Sequence, residues 1–175
     1  EARDAQAVRY VCENGLMAGI TETQFAPDQT LTRGEMTSIL WKLAGSPQVA
    51  ADAAGFVDTA GADCAGAVAW AADNGVVSGY GDSRFGPADP VTREQMSLML
   101  LRYAQYAGMD TAQGGMTVRE FADYDQIAGY ALEAVAWTVE AGLLTGNSSD
   151  TLAPGQAATR VQTAQTLLAL AQIAE

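Results

Sequence analysis

The sequence predicts an all-α protein built from three tandem copies of one helical unit. Hydrophobic residues make up 49% of the 175 residues, and much of that fraction is alanine, which favours close helix packing over a strand sandwich. A helix-start signature of the capping-box type occurs three times. Landmark residues also recur in register along the chain, and repeated units of this kind bury their apolar faces against each other.

The three copies are aligned by six landmarks that keep constant offsets of 60 and then 67 positions. The landmarks are Val8, Gly15, Gly19, Pro27, Thr32 and Arg33 in copy 1, Val68, Gly75, Gly79, Pro87, Thr92 and Arg93 in copy 2, and Val135, Gly142, Gly146, Pro154, Thr159 and Arg160 in copy 3. We expect copies at 1–46, 56–108 and 121–172, packed into one compact module. Copy 1 has no equivalent of the segment 56–58, so the chain is expected to begin inside its first copy.

The second copy shows the first half of the unit most clearly. After Phe56-Val-Asp58, a helix is predicted over 65–74. Gly75 is expected to end that helix, because glycine readily adopts the left-handed cap conformation. A glycine-rich loop follows at 79–87, and Phe85 is expected to hold this loop against the core.

The second helix of each copy begins with a threonine that caps it. In copy 2 this helix is predicted over 92–107. The Thr92 hydroxyl is expected to accept a hydrogen bond from a backbone N–H group, while the Gln95 side chain reaches back to the cap. The same box occurs in the other copies as Thr32 with Glu35 and as Thr159 with Gln162.

The charge of the chain excludes some classes of partner. The formal net charge is −12, and such a surface repels nucleic acid and anionic membranes at long range. Any anion that binds must therefore be held in a local pocket. No apolar run is long enough to cross a membrane. We expect no nucleic-acid partner and no membrane span.

Catalytic and metal chemistry find little support in the sequence. The chain has no histidine, which is the commonest general base and zinc ligand. Carboxylate pairs such as Glu133 with Glu140 are possible acid–base groups, but acids at helical spacing are more often a solvated face. Asp82 is a possible calcium ligand, yet no EF-hand pattern is present. We expect no enzyme activity, no metal and no cofactor.

The two cysteines, Cys12 and Cys64, leave two alternatives open. One is a pair of buried thiols. The other is a disulfide between copies 1 and 2, which would suit an extracellular protein. The sequence contains no distance between the two sulfur atoms and so does not decide between them.

An arginine follows the capping threonine in each copy. The three are Arg33, Arg93 and Arg160. Each lies at the positive end of a helix dipole, where an acid would be more stable, so this choice needs compensation. One possibility is a salt bridge to a structural acid, with Asp58, Asp82 and Asp123 as candidates. The other is an anionic ligand, which the guanidinium and the helix N–H groups would hold together.

Together these motifs closely resemble the S-layer homology (SLH) repeat. The matching patterns are Phe-x-Asp, Ala-x-Ala-Trp-Ala, Asn-Gly-Val-Val-x-Gly-Tyr-x-Asp, Phe-x-Pro and Thr-Arg-x-Gln/Glu. The resemblance covers almost the whole chain, although the loop at 146–152 departs from the pattern. It implies a pseudo-threefold, three-pronged spindle around a central helical bundle. It also implies non-covalent attachment of exported bacterial proteins to cell-wall polysaccharide, which in many members carries anionic pyruvate ketals and binds in grooves between repeats.

The resemblance favours the ligand alternative for the arginines and suggests further site residues. Sugar rings pack on flat apolar faces, which Trp70, Trp137 and Tyr80 would supply, although tryptophans at helical spacing more commonly pack in the core between repeats. Gly19, Gly79 and Gly146 would let the backbone approach a ligand, or would simply form turns, and Asp82 joins the predicted set. We expect the grooves formed by copies 1 and 2 to bind best.

A rival function is protein–protein binding, for example self-assembly of a surface layer. Methionines such as Met96 and Met99 provide adaptable apolar contacts, but they also suit a core. The resemblance further implies fusion to other exported domains and a location at the bacterial cell surface.

Overall fold

The computed structural model describes residues 2–50, 53, 55–112, 115–148 and 150–174. Within these ranges the protein is helical and contains no β-strand, which confirms the all-α fold class. The six helices are α1 (Ala2–Glu13), α2 (Arg33–Leu43), α3 (Ala65–Asp73), α4 (Arg93–Tyr106), α5 (Leu132–Glu140) and α6 (Arg160–Ile173). Three short 3-10 turns, at Thr117–Glu120, Tyr124–Gln126 and Gly129–Ala131, precede α5. In the described part of the chain, no helix combines the length and apolarity needed to cross a membrane.

The predicted helix boundaries agree closely with the structure. All three capping boxes are formed, with Thr32, Thr92 and Thr159 as the N-cap residues of α2, α4 and α6. Gly75 follows α3 with a φ of 71°, which confirms the predicted left-handed end of that helix. These features depend on local backbone chemistry, so the sequence is sufficient to place them.

Helices from different copies pack in pairs. Helix α3 of copy 2 packs on α2 of copy 1, α5 of copy 3 packs on α4 of copy 2, and α1 of copy 1 packs on α6 of copy 3. The first helix of every copy is therefore covered by the second helix of another copy. Buried apolar side chains from all three copies form one continuous core, and no copy buries its apolar face alone.

The loops that precede α2, α4 and α6 meet in a closed ring of hydrogen bonds. The Val91 N–H group donates to the Leu31 carbonyl at 2.9 Å, the Ala158 N–H group donates to the Val91 carbonyl at 2.8 Å, and the Leu31 N–H group donates to the Ala158 carbonyl at 3.0 Å. All three residues are at most 1% exposed. Each copy thus contributes the residue at the same repeat position to the ring, and the chain closes from copy 3 back to copy 1.

The first N–H groups of α2, α4 and α6 are also satisfied by another copy. For α2, the Arg33 N–H group donates to the Asp89 carbonyl at 2.9 Å and the Gly34 N–H group donates to the Pro87 carbonyl at 3.0 Å. Equivalent bonds connect α4 to Gln156 and Pro154, and α6 to Gln29 and Pro27. The hydroxyl of the cap threonine accepts from the N–H group of the third helical residue, and the side chain of that third residue accepts from the N–H group of the cap. These helix N-termini therefore have no spare N–H donor for an anion.

Candidate functional site

Each of the three arginines inserts its side chain into the next copy. The Arg33 guanidinium donates from Nε to the Phe85 carbonyl at 2.9 Å and from Nη2 to the Ser78 carbonyl at 3.2 Å. The same two bonds join Arg93 to Leu152 and Thr145, and Arg160 to Phe25 and Ala18. Subtracting the repeat offsets shows that the acceptors are equivalent residues in the three copies. The arginines therefore fasten copy 1 to copy 2, copy 2 to copy 3, and copy 3 to copy 1.

The three arginines are buried, at 5%, 3% and 8% exposed for Arg33, Arg93 and Arg160. Burial lowers the pKa of the Arg33 and Arg93 guanidinium groups below the ordinary value for arginine. Aromatic faces offset part of the cost of burial through cation–π contact. The Arg33 guanidinium lies 4.6 Å from the Phe85 ring centroid, and that of Arg160 lies 4.6 Å from the Phe25 centroid.

The acids proposed as salt-bridge partners bind elsewhere. The Asp58 carboxylate accepts from the Phe85 and Gly86 N–H groups at 2.9 and 2.8 Å. The Asp123 carboxylate accepts from Leu152 and its neighbour at 2.8 and 2.7 Å. Asp82 pairs with the exposed Arg84 at 2.9 Å. None of these acids forms an ion pair with a capping-site arginine among the described residues. Instead, Asp58 and Asp123 hold the loops whose carbonyls accept the arginines.

The Asp58 contacts predict a loss of stability in acid. The two N–H donors lower the pKa of the Asp58 carboxyl from its ordinary value, so its stabilising effect is complete above the unfolded pKa and disappears as the pH falls through the folded pKa. We expect the melting temperature of the wild type to fall between about pH 5 and about pH 2. Asp58→Asn should weaken that pH dependence, whereas the exposed Asp125→Asn should preserve it. Equal pH profiles for Asp58→Asn and the wild type would contradict this role.

One side of the Arg33 guanidinium faces a groove between copies. Within the described residues its Nη1 atom has no hydrogen-bond partner, while Nε and Nη2 are occupied. The groove has a volume of about 440 Å³, which lies within the usual range for ligand pockets of roughly 300–1,000 Å³. We call it the Arg33 groove. Its lining includes Arg33, Ser78, Gly79, Tyr80, Gln95, Met99, Arg102 and Tyr130.

An equivalent groove, of about 490 Å³, lies where Arg160 meets copy 1. We call it the Arg160 groove. Its lining includes Met17, Ala18, Glu35, Lys42, Asp63, Cys64 and Arg160. At the corresponding place beside Arg93, the Gln165 side chain donates to the Asp4 carboxylate, which joins α6 to α1. The three inter-copy sites therefore share an arginine but differ in the residues around it.

The predicted aromatic residues separate into two groups. Trp70 and Trp137 are only 3% and 1% exposed, so their rings lie in the core and offer no face to a sugar. Tyr80 is 48% exposed and lines the Arg33 groove. The Arg33 guanidinium lies 4.8 Å from its ring centroid, and its hydroxyl donates to the Asp89 carboxylate at 2.8 Å. Of the three predicted aromatic residues, Tyr80 is therefore the one whose ring lies against a capping-box arginine, Arg33.

The three predicted glycines are required by tight loop packing. A Cβ atom on Gly79 would lie 2.5 Å from the Arg84 carbonyl oxygen, closer than real Cβ contacts allow. Cβ atoms on Gly19 and Gly146 would likewise collide with carbonyl oxygens of their own loops. Gly79 also lines the Arg33 groove. Asp82 lies on the surface with Arg84 and is absent from the described lining of this groove.

The cysteines are two free thiols, so the structure does not contain the disulfide. The buried-thiol alternative also fails for Cys12, which is exposed, whereas Cys64 is half-buried. Burial raises the pKa of the Cys64 thiol. Among the described residues, no cluster of three or more Cys, Asp or Glu side chains is suited to holding a metal ion.

The sequence interpretation missed Arg102, Tyr130 and Ser78, which all line the Arg33 groove. A signal for Arg102 was available, because the single lysine of the chain, Lys42, precedes it by the repeat offset of 60. Tyr130 carried no such signal, since it comes from copy 3 and enters the groove only through tertiary packing. Tyr130 is 58% exposed.

Comparison with known proteins agrees with the repeat pattern. The model of the S-layer homology domain matches residues 3–37, 55–97 and 120–164, which together make up more than half of the chain. Each segment contains one cap threonine and its arginine. The match therefore confirms three tandem repeats of this kind.

Relatives among characterised proteins are much longer than this chain. The chain is 29% identical over 165 residues to the exoglucanase XynX of Acetivibrio thermocellus. It is 27% identical over 165 residues to the amylopullulanase of Thermoanaerobacterium thermosulfurigenes, and 27% identical over 170 residues to the endoglucanase of Bacillus sp. (strain KSM-635). In each case 93% of the chain is covered, but only 15%, 9% and 17% of the relative.

The repeat pattern, the helical structure and the family match agree with one another. The chain belongs to the S-layer homology domain family and is, in general terms, a cell-wall anchoring module.

Proposed function

We propose that this module binds a secondary cell-wall polysaccharide non-covalently, and that anionic pyruvate ketals of the polymer are held by arginine in the grooves between repeats. The proposal depends on one observation, the environment of the Arg33 guanidinium. Its Nη1 atom has no hydrogen-bond partner among the described residues, and it lines a groove that also contains the exposed rings of Tyr80 and Tyr130. A guanidinium edge binds a carboxylate strongly, and the tyrosine rings offer flat surfaces to a sugar.

We further propose that the three repeats form a pseudo-threefold, three-pronged spindle around a central helical bundle. The ring formed by Leu31, Val91 and Ala158 supports this arrangement, as do the three equivalent arginine contacts. In such a body the inter-repeat grooves recur, and a polymer that contacts more than one of them would bind more strongly through multivalency.

The proposal places the module on exported proteins at the bacterial cell surface, as the anchor of other domains. The relatives support this, since they are enzymes many times longer than the chain. The module itself binds and does not catalyse. Incubation with isolated wall sugars should therefore release no product, and measured turnover would contradict the proposal.

The direct test is a pull-down with purified cell-wall material before and after chemical removal of its polysaccharide. We expect the module to sediment with intact wall material and to remain in solution after the polysaccharide is removed. Binding that survives removal would overturn the proposal and favour a peptidoglycan or protein partner, including another copy of the module. Titration with a pyruvylated wall-sugar fragment, beside the same sugar without pyruvate, then tests the role of the ketal.

A further inference from the structure

Two cationic side chains meet at one residue in the Arg33 groove. Arg33 donates from Nη2 to the Ser78 carbonyl at 3.2 Å, and Arg102 donates from Nη1 to the Ser78 hydroxyl at 3.2 Å. Neither guanidinium forms an ion pair with an acid in the described part of the chain. Like charges placed close together repel each other, and at Arg33 the carboxylates of Asp89 and Asp58 offset this repulsion only from a distance, without an ion pair.

The acids close to this groove are engaged by other donors. The Asp89 carboxylate accepts from the Tyr80 hydroxyl at 2.8 Å. The Glu94 carboxylate accepts from the Ala128 N–H group at 3.0 Å and from the Tyr130 hydroxyl at 3.4 Å. Of the described residues that line the groove, two are cationic and none is acidic. The lining of the groove is therefore cationic, while Asp89 and Glu94 lie just behind it and accept from the hydroxyls of Tyr80 and Tyr130.

The Arg160 groove is a natural comparison because its residues occupy the same repeat positions. Lys42 replaces Arg102, but Glu35 replaces Gln95, and Asp63 lies where Tyr130 is found. Ala18 replaces Ser78, so the hydroxyl that holds Arg102 is absent at that position. Two acids thus line the Arg160 groove beside its two cations, although Glu35 also accepts from the Thr32 N–H group at 2.8 Å, and neither Tyr80 nor Tyr130 has an aromatic counterpart there.

We propose that Arg102 is a specificity-determining residue and that the Arg33 groove, but not the Arg160 groove, is the site for a carboxylate-bearing sugar. The carboxylate lies between Nη1 of Arg33 and the guanidinium of Arg102, and the sugar ring packs on Tyr80 and Tyr130. In the Arg160 groove, Glu35 and Asp63 repel the same carboxylate. This inference rests on the proposed function and deepens it, because it assigns the anionic group to one groove.

The chain contains a methionine reporter in each groove. Met99 lines the Arg33 groove and Met17 lines the Arg160 groove. In protein labelled with ¹³C at the methionine methyl groups, the two signals can be assigned with Met99→Leu and Met17→Leu. The probe is the methyl glycoside of an N-acetylhexosamine 4,6-pyruvate ketal. Its controls are the ketal methyl ester, which keeps the shape and removes the charge, and the parent glycoside.

We expect the acid probe to shift the Met99 signal at concentrations that leave the Met17 signal unchanged. The methyl ester and the parent glycoside should bind about tenfold more weakly or worse, because they lose the charge-assisted hydrogen bonds. Arg102→Ala should weaken binding of the acid by about tenfold. The matched variant Lys42→Ala should change it by less than about twofold, since Lys42 lies in the other groove.

Several results would overturn the inference. They are equal binding of the acid and the ester, an unchanged affinity in Arg102→Ala, a Met17 shift at lower probe concentration than the Met99 shift, or no binding of the acid. Arg102→Gln and thermal melts of both variants show whether any loss comes from unfolding. If wild type fails to sediment with intact wall material, the proposed function fails. If wild type sediments but the probe results above are negative, only this assignment fails.

Discussion

Replacing Arg93 by alanine is expected to lower the free energy of unfolding by about 3–5 kcal/mol, because two charge-assisted hydrogen bonds are lost together. Arg93 is 3% exposed, and its guanidinium donates to the carbonyls of Leu152 and Thr145 in the next repeat. Removing it leaves both carbonyls without this donor and breaks the fastening between repeats 2 and 3. Urea unfolding followed by circular dichroism measures the loss.

Arg84→Ala is the matched control for this prediction. Arg84 also donates to an oxygen of a loop, but its ion pair with Asp82 is on the surface, with side chains 61% and 51% exposed. Exposed ion pairs contribute little to stability because water and salt screen them, so the control should remain close to wild type. A loss below about 1 kcal/mol in Arg93→Ala would show that the buried contacts are not the source of stability.

Arg93→Lys sharpens the same test. Lysine keeps the charge but presents a compact ammonium group in place of the planar guanidinium fork. It is therefore not expected to reach both carbonyl acceptors, and most of the stability should still be lost. The resemblance to the SLH repeat also favours a ligand role for Arg93, so a loss of wall binding in an Arg93 variant is a further prediction. It has to be measured on the fraction that remains folded.

The repeats, the helix starts and the helix ends could be predicted from the sequence because they depend on local chemistry. A cap threonine, a following Glu or Gln and a glycine at the helix end act through the backbone within a few residues. The repeat offsets then place the elements predicted for copy 2 at the equivalent positions of copies 1 and 3. The pairing of α1 with α6 was beyond this reasoning, since it depends on how the chain closes on itself.

The partners of the arginines could not be predicted from the sequence for a physical reason. An arginine in a sequence suggests an acidic partner, but Asp58 and Asp123 lie 27 and 29 residues before Phe85 and Leu152 and approach these acceptor loops only in the folded chain. The acceptors are backbone carbonyls of residues such as Phe85 and Leu152. Every residue carries a carbonyl, so the identity of these residues gives no sign of the bond. The acids act one step away, on the N–H groups of the same loops.

The Arg33 side chain has both a structural role and a role in the proposed function. In Arg33, Nε and Nη2 fasten two repeats while Nη1 is directed to neither acceptor. A ligand bound at that remaining edge would contact the interface that holds the repeats together. Ligand that binds only the folded state raises stability by mass action, so saturating polysaccharide should raise the melting temperature of the module.

Replacing Trp137 by alanine is expected to cost about 3–5 kcal/mol of unfolding free energy, the usual loss for a large aromatic residue removed from a core. The Trp137 side chain is 1% exposed and belongs to the continuous apolar core. Because it offers no face to the surface, the variant that remains folded should bind wall polysaccharide as wild type does. This outcome separates core packing from sugar binding, which the helical spacing of the tryptophans leaves open.

Met116→Ala serves as the control for Trp137→Ala, since Met116 is 64% exposed and a surface substitution usually changes stability by less than about 0.5 kcal/mol. Urea unfolding gives the stability of both variants, and sedimentation with wall material below the unfolding transition gives their binding. A stable Trp137→Ala protein that no longer sediments would contradict the core assignment. That result would indicate that Trp137 contacts the sugar, as the resemblance to the SLH repeat implied.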